Sequence, residues 1–162
     1  MDQSVGISIV LLAADFDRWD DLLALIRRAF AYMDGVIDPP SSAHLLTADS
    51  LGEKAKRETA FLAVENGRIV GCVFALERAE DFYVGKLAVD AACQGRGIGK
   101  LLIEAVEEHA RLAGKHALEL QVRIELAANH AAFARLGFRE TERTAHEGYD
   151  RPTSITMRKA LS

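Results

Sequence analysis

The sequence predicts a single mixed α/β domain, and three observations carry that prediction. Strand-like and helix-like patterns follow one another along 162 residues in the order β, α, α, β, β, β, α, β, α, β, β. Three consecutive strands occupy the middle, which makes a meander rather than a series of βαβ units. Apolar residues make up 49% and charged residues 27%, the balance of one core under a charged surface.

Gly6 to Leu12 is short, apolar and β-branched, and reads as the first strand. A helix follows Asp15 and Asp17, with Leu22, Leu23, Ile26, Phe30 and Met33 on one face and Arg27 and Arg28 on the other. Asp34 to Ser42 stops it, because Pro39 and Pro40 forbid continuation. A second, more polar helix is expected from about Ser42 to Arg57. Thr59–Val64 and Ile69–Leu76 are strands joined by Glu65-Asn66-Gly67-Arg68, and Asn-Gly is a strong hairpin signal. Phe82 to Val89 is the next strand. A helix face then runs through Ile98, Leu101, Leu102, Ala105, Val106 and His109 and closes at Gly114. Ala117–Val122 is a strand and Ala128–Leu136 a short helix. Gly137-Phe138 opens one further extended run, and Thr153–Arg158 forms the last.

The formal charge of −4 argues against a nucleic-acid binder that relies on a broad basic face. Cys72 and Cys93 are far apart and in no metal-type spacing, which points to a reducing compartment, most simply the cytoplasm. The start of the chain is acidic, without the basic opening of a signal peptide, and no stretch suits a membrane span.

Residues 94 to 100 read Q-G-R-G-I-G-K, directly before an amphipathic helix. The first N–H groups of a helix have no intrahelical acceptor, and the helix dipole adds roughly half a positive charge there. Glycines remove the Cβ atoms that would hold a phosphate away, and Arg96 and Lys100 place cations at the mouth. The nucleotide P-loop pattern fails twice, since Gln94 and Leu101 stand where glycine and a hydroxyl are needed. The dinucleotide pattern fails in both registers, at Lys100 and at Leu102.

The arrangement that fits is Gln94-x-x-Gly97-x-Gly99 after the strand that ends at Val89. With LAVDAACQGRGIGKLLIEAVEEHARLAG, and with LELQVRIELAANHAAFARLGFRE further on, the chain resembles the GNAT superfamily of N-acetyltransferases. That resemblance implies one domain over 1–162, with a central, mostly antiparallel sheet of about seven strands flanked by about four helices. It implies acetyl-CoA as co-substrate and an amine acceptor, with a homodimer among the assemblies the family forms. The backbone of Leu87, Ala88 and Val89 would pair with the pantetheine arm like an added strand. Amides of Gly95, Arg96, Gly97, Ile98, Gly99 and Lys100, preceded by Gln94, would hold the pyrophosphate. An amide near Val89 would stabilise the oxyanion. Asn129 resembles a helix asparagine that contacts the cofactor, although it lies four residues before Phe133 rather than seven.

Phe133 stands where many members carry the tyrosine that protonates the departing thiolate. Three answers follow. Amide stabilisation alone suffices, because a thiol is a tolerable leaving group; another residue supplies the proton; or the protein binds acyl-CoA without efficient transfer. In residues 146–152, Tyr149 is the first choice for the acid and His146 for the base, with Glu77, Glu80 and Asp81 as competing bases. A solvated loop is the plainer reading of that segment. His109, His116, Cys93 and Trp19 are expected to be structural. By the same resemblance, Tyr32 and the loop Asp34–Ser42 border the acceptor pocket. The carboxylates Asp34, Asp38, Glu80, Asp81, Glu147 and Asp150 hint at a cationic amine. A non-catalytic acyl-CoA-binding or sensing module, acetylation of a protein N-terminus, and a phosphate-binding regulatory domain unrelated to coenzyme A are the readings set against a small-molecule acetyltransferase.

Overall fold

The strands β1 (Ile7–Leu11), β2 (Thr59–Glu65), β3 (Arg68–Glu77), β4 (Asp81–Val89), β5 (Ala117–Arg123), β6 (Arg139–Thr144) and β7 (Ser154–Ala160) form one sheet. Its order is β1-β2-β3-β4-β5-β7-β6 in a computed structural model that describes residues 6–162. Of the acidic start read from the sequence, residues 1–5, with Asp2, lie outside the described residues. Every neighbouring pair is antiparallel except β4 and β5. The β2–β3 hairpin turns at Asn66 (φ 51°) and Gly67 (φ 76°), the pair of positive angles that matches the twist of two antiparallel strands.

Four helices cover the sheet: α1 (Trp19–Phe30), α2 (Ala48–Arg57), α3 (Ile98–Leu112) and α4 (Ala127–Arg135). Alternation along β3 divides the interior into two cores. Cys72 and Phe74 face α1 and α2, where Leu22, Leu25, Ile26 and Leu51 are buried. Val70, Val73 and Ala75 face α3, with Ile98, Leu102, Ile103 and Val106. Cys72 is buried and its thiol pushed up to about 12 by desolvation, so it is a packing residue. His109 lies between the Phe61 and Phe82 rings and within 3.3 Å of Thr59 Oγ1, as a structural histidine should. Among the described residues no helix is long and apolar enough to cross a membrane.

Two expectations change. The second helix does not start at Ser42: residues Ser42–Leu45 form a separate 3-10 turn, and α2 begins at Ala48. Thr47 accepts the Ser50 N–H (3.0 Å) and Ser50 Oγ accepts the Thr47 N–H (2.9 Å), a reciprocal cap that sets the boundary. On α3 the buried stripe runs through Ile98, Leu102, Ile103, Val106 and Ala110, leaving Leu101 36% exposed. The stripe includes the buried Glu107, whose carboxylate is met by Lys159 at 2.7 Å.

The β4–β5 junction is closed at one end by charge. Asp81 accepts Arg78 Nε (2.7 Å) and Nη2 (2.8 Å) and Arg158 Nη1 (2.7 Å), while Glu119 accepts the same two arginines at 2.8 and 3.0 Å. These groups tie the β3–β4 turn, β4, β5 and β7 together. Asp81, read as a competing base, is thus a buried structural carboxylate. The hydrogen bonds from Arg78, then those from Arg158, outweigh desolvation and hold it below the usual carboxylate range. A depressed pKa stabilises the fold above the unfolded value of about 3.9, and that contribution fades as pH falls toward the folded value.

Urea unfolding checks this: Asp81→Asn should be less stable than the native chain at pH 7, with the difference shrinking below about pH 3.9. A second expectation concerns Gly71, where an added Cβ would meet Ile98 Cγ2 and Leu102 Cδ1 at 3.1 Å and the Ala88 carbonyl at 3.2 Å. Gly71→Ala should therefore cost about 1–3 kcal/mol by overpacking, read as a lower urea midpoint with an unchanged slope.

Candidate active site

β4 and β5 pair over only three positions, Asp81 to Tyr83 opposite Ala117 to Glu119, and then part. A bulge on β4 marks the change, with Lys86 and Leu87 both standing opposite Val73 and Lys86 at φ 51°. Past it, among the described residues, β4 has β3 on one side and no strand on the other. The Asp90 N–H donates to the Val70 carbonyl (2.8 Å), so alternation turns the main-chain groups of Val89 to the open side and those of Ala88 toward β3. Of the stretch Leu87–Val89, the Val89 amide is thereby offered to a guest.

The chain leaves β4 through a 3-10 turn, Ala91–Cys93, capped by Asp90 Oδ1 on the Ala92 N–H (3.0 Å). Gly95 (φ 83°) and Gly97 (φ 78°) take left-handed conformations that L side chains resist, and Gly97 is the N-cap of α3. Among the described residues no side chain caps α3, so the first-turn amides of Ile98, Gly99 and Lys100 are left for a ligand. They border a cavity of about 520 Å³ lined also by Val89, Gln94, Gly95, Gly97, Asn129, Phe133 and Arg135. An anion placed there would meet the amides and the dipole of α3, with Lys100 and Arg135 on the wall. A main-chain cradle at one end and an open strand edge at the other fit a pyrophosphate joined to an extended amide arm.

A second cavity, about 160 Å³, lies in the gap itself, between Val84–Leu87 of β4 and Leu120–Arg123 of β5. Five residues line both cavities: Phe30, Tyr32, Leu87, Asn129 and Phe133. Phe133 is packed edge-on against Phe138, its ring centroid 5.7 Å away, and has no proton to give. Tyr32 supplies the hydroxyl at this junction, reached by Asn129 Nδ2 at 2.9 Å.

The other expected site residues fall elsewhere. Arg96 does not extend its guanidinium into the cavity; Glu65 on β2 holds it at 3.0 and 2.6 Å. That ion pair leaves the Arg96 amide as its contribution to the loop, and it fastens the loop to the sheet. Tyr149 donates to Asp38 Oδ1 (2.6 Å), which holds the phenol above its ordinary pKa. The His146 ring contacts Thr153 Oγ1, and burial lowers its pKa. Neither Tyr149 nor His146 lines either cavity. Glu77 and Glu80 are exposed beside Lys115 and His116. None of the six acidic residues expected near the acceptor lines the two cavities. Sequence reasoning passed over Lys86 and Arg123, which do line the second. A signal existed for Lys86: it is the lone cation in the run Phe82 to Val89.

A Cβ at Gly99 would meet nothing closer than Val89 Cγ2 at 4.0 Å, so a larger side chain fits the fold while projecting at the cradle. Gly99→Leu is expected to keep its thermal midpoint while weakening coenzyme A binding roughly tenfold or more by calorimetry; unchanged affinity refutes the cradle.

Comparison with known proteins agrees with this geometry. The sequence pattern of the acetyltransferase (GNAT) family matches residues 19–138. An IAA acetyltransferase of Azospirillum brasilense is 32% identical over 155 residues, which cover 94% of this chain and 98% of that protein. The crystal structure of PaiA N-acetyltransferase from Thermoplasma acidophilum in complex with coenzyme A superposes with a TM-score of 0.80 at 16% identity, covering 95% of this chain and 99% of that one. The ribosomal-protein-S18-alanine N-acetyltransferase of Escherichia coli superposes with a TM-score of 0.74 at 21% identity, covering 96% and 94%. The matched motif, the near-complete coverage and the glycine cradle at α3 converge, and the chain belongs to the GNAT family of acetyltransferases, enzymes that use acetyl-CoA.

Proposed function

We propose that the protein transfers the acetyl group of acetyl-CoA directly to the amine of a small-molecule acceptor. The observation that carries this reading is the meeting of two cavities at the parting of β4 and β5. One is lined by the free amides of α3 and suits the donor; the other lies in the gap between the strands and suits the acceptor. Among the described residues, the five that line both cavities include no cysteine, serine or lysine, which favours direct transfer over an acyl-enzyme. The small size of the second cavity favours a compact acceptor over a protein terminus. The names of the relatives give different acceptors, IAA for one and the alanine of ribosomal protein S18 for another, so the family supplies the donor and leaves the acceptor to the local pocket.

Acetyl-CoA supplies an activated acyl group and a thiolate leaving group. The protein contributes position, an amide and a proton. The Val89 N–H, on the open side of β4, is the donor for the oxygen that becomes negative. The Tyr32 hydroxyl, oriented by Asn129, is the acid for the thiolate, in the place Phe133 leaves without one. Among the described residues no histidine or carboxylate lines either cavity, so on this reading the amine proton leaves through water.

Tyr32→Phe should lower kcat by roughly 10²- to 10⁴-fold while leaving the calorimetric Kd for coenzyme A within about twofold. Adding Phe133→Tyr to that variant should return at least about tenfold of the rate, because it sets a phenol on the opposite wall of the same junction. A Tyr32→Phe enzyme with undiminished turnover removes Tyr32 from the chemistry. The absence of thiol release with every amine of a broad panel, despite coenzyme A binding, removes the transferase reading.

A further inference from the structure

Two cations, Lys86 and Arg123, line the acceptor cavity, and among the described residues neither forms an ion pair. Along β5, Leu118, Leu120 and Val122 are buried on the α3 side, which turns Glu119, Gln121 and Arg123 to the opposite face. Lys86, at the β4 bulge, reaches the same face: its Nζ donates to Ser42 Oγ at 2.7 Å, in the loop that follows α1. Arg123 donates Nη1 to the Pro39 carbonyl (2.6 Å) and Nη2 to the Pro40 carbonyl (3.1 Å) of that loop. Both residues are partly buried. Only two of the five guanidinium N–H donors are used in this way.

The carboxylates nearby are already engaged. Glu58 is held by Lys54 at 2.7 Å, Glu119 by Arg78 and Arg158, and Asp38 by Arg151 and Tyr149. Glu125 accepts the Asp38 N–H at 3.1 Å. Among the described residues no carboxylate forms an ion pair with Lys86 or Arg123. Desolvation, and then the charge of Lys54, lower the pKa of Lys86; the Glu58 carboxylate opposes them without reversing the shift, and Arg123 adds to it. Two partly desolvated cations at the edge of a largely apolar gap are costly unless an anion joins them. The pyrophosphate is not that anion, because its cradle lies in the first cavity and neither Lys86 nor Arg123 lines it.

We infer that the acceptor is a small amine that also carries a carboxylate, and that Lys86 and Arg123 bind this carboxylate while the amine faces Leu87. The inference rests on the acetyl-transfer reading above and names its substrate class. A guanidinium fork matches the two oxygens of a carboxylate, and the ammonium adds a point charge from the other strand. In the reaction the C–S bond of the thioester breaks as the amide C–N bond forms. The nitrogen gives up one proton, the sulfur gains one, and the carboxylate is unchanged.

The test uses the full chain with acetyl-CoA and the standard amino acids, each set beside its carboxamide and its decarboxylated amine. Thiol release gives kcat/KM, and calorimetry on the coenzyme A-loaded protein gives binding. At least one free acid should exceed its carboxamide and its bare amine by roughly 10- to 100-fold in kcat/KM. Lys86→Met should erase most of that preference by raising KM for the acid, with the Kd for coenzyme A unchanged. Arg123→Met should do the same, and Lys86→Met decides alone if loss of the proline-loop contacts prevents Arg123→Met from folding. Carboxamides or bare amines that react as well as the acids overturn the inference while leaving the transferase reading intact. If no acceptor turns over, the transferase reading falls, and calorimetry still decides the anion: acids that bind no better than their carboxamides overturn it.

Discussion

The brevity of the pairing between β4 and β5 is the constraint from which the rest of the site follows. Three positions of parallel ladder are clipped by Asp81, Glu119, Arg78 and Arg158, and past them the strands separate. A full ladder would satisfy the main chain of β4 and leave no room for a substrate. Separation opens a strand edge and a passage through the sheet, and both cavities border it. The clip is well suited to the task because its charges are partly buried and reciprocally paired, unlike exposed ion pairs that contribute little.

Backbone and side chains have separate tasks in this arrangement. The anion cradle consists of amides, and its glycines at positive φ serve to bring those amides forward. Arg96 fastens the loop by pairing with Glu65, and Asp90 caps the turn that precedes it. In the proposed reaction, side chains instead set the chemistry and the acceptor. The hydroxyl at the junction comes from the turn after α1, and the cations come from the β4 bulge and the end of β5. Since such side chains can be exchanged without disturbing the cradle, one fold can keep its donor and change its acceptor.

The signals that could be read from the chain were local. The Asn66-Gly67 hairpin, the order of elements and the glycine loop at α3 each depend on a few adjacent residues, and the structure has them where the pattern put them. Errors arose where a distant partner decides. Leu101 looks like part of the α3 stripe, yet a one-position shift exposes it and buries Ile103 and Glu107, the latter because Lys159 of β7 meets its carboxylate. Ser42 to Arg57 looks continuous until Thr47 and Ser50 cap each other. Arg96 looks like a phosphate ligand until Glu65, 31 residues earlier, takes its guanidinium.

The sequence by itself determined the fold class, the place of the glycine loop at the start of α3 and the absence of a tyrosine at position 133, because glycine spacing, hydrophobic period and residue identity are properties of neighbouring positions. The tertiary structure alone decided which hydroxyl and which cations stand at the gap. Tyr32 and Asn129 are 97 residues apart, and Arg123 lies more than 80 residues from the prolines it holds. No local pattern encodes such meetings; they exist because β4 and β5 part where α1, α4 and the proline loop converge.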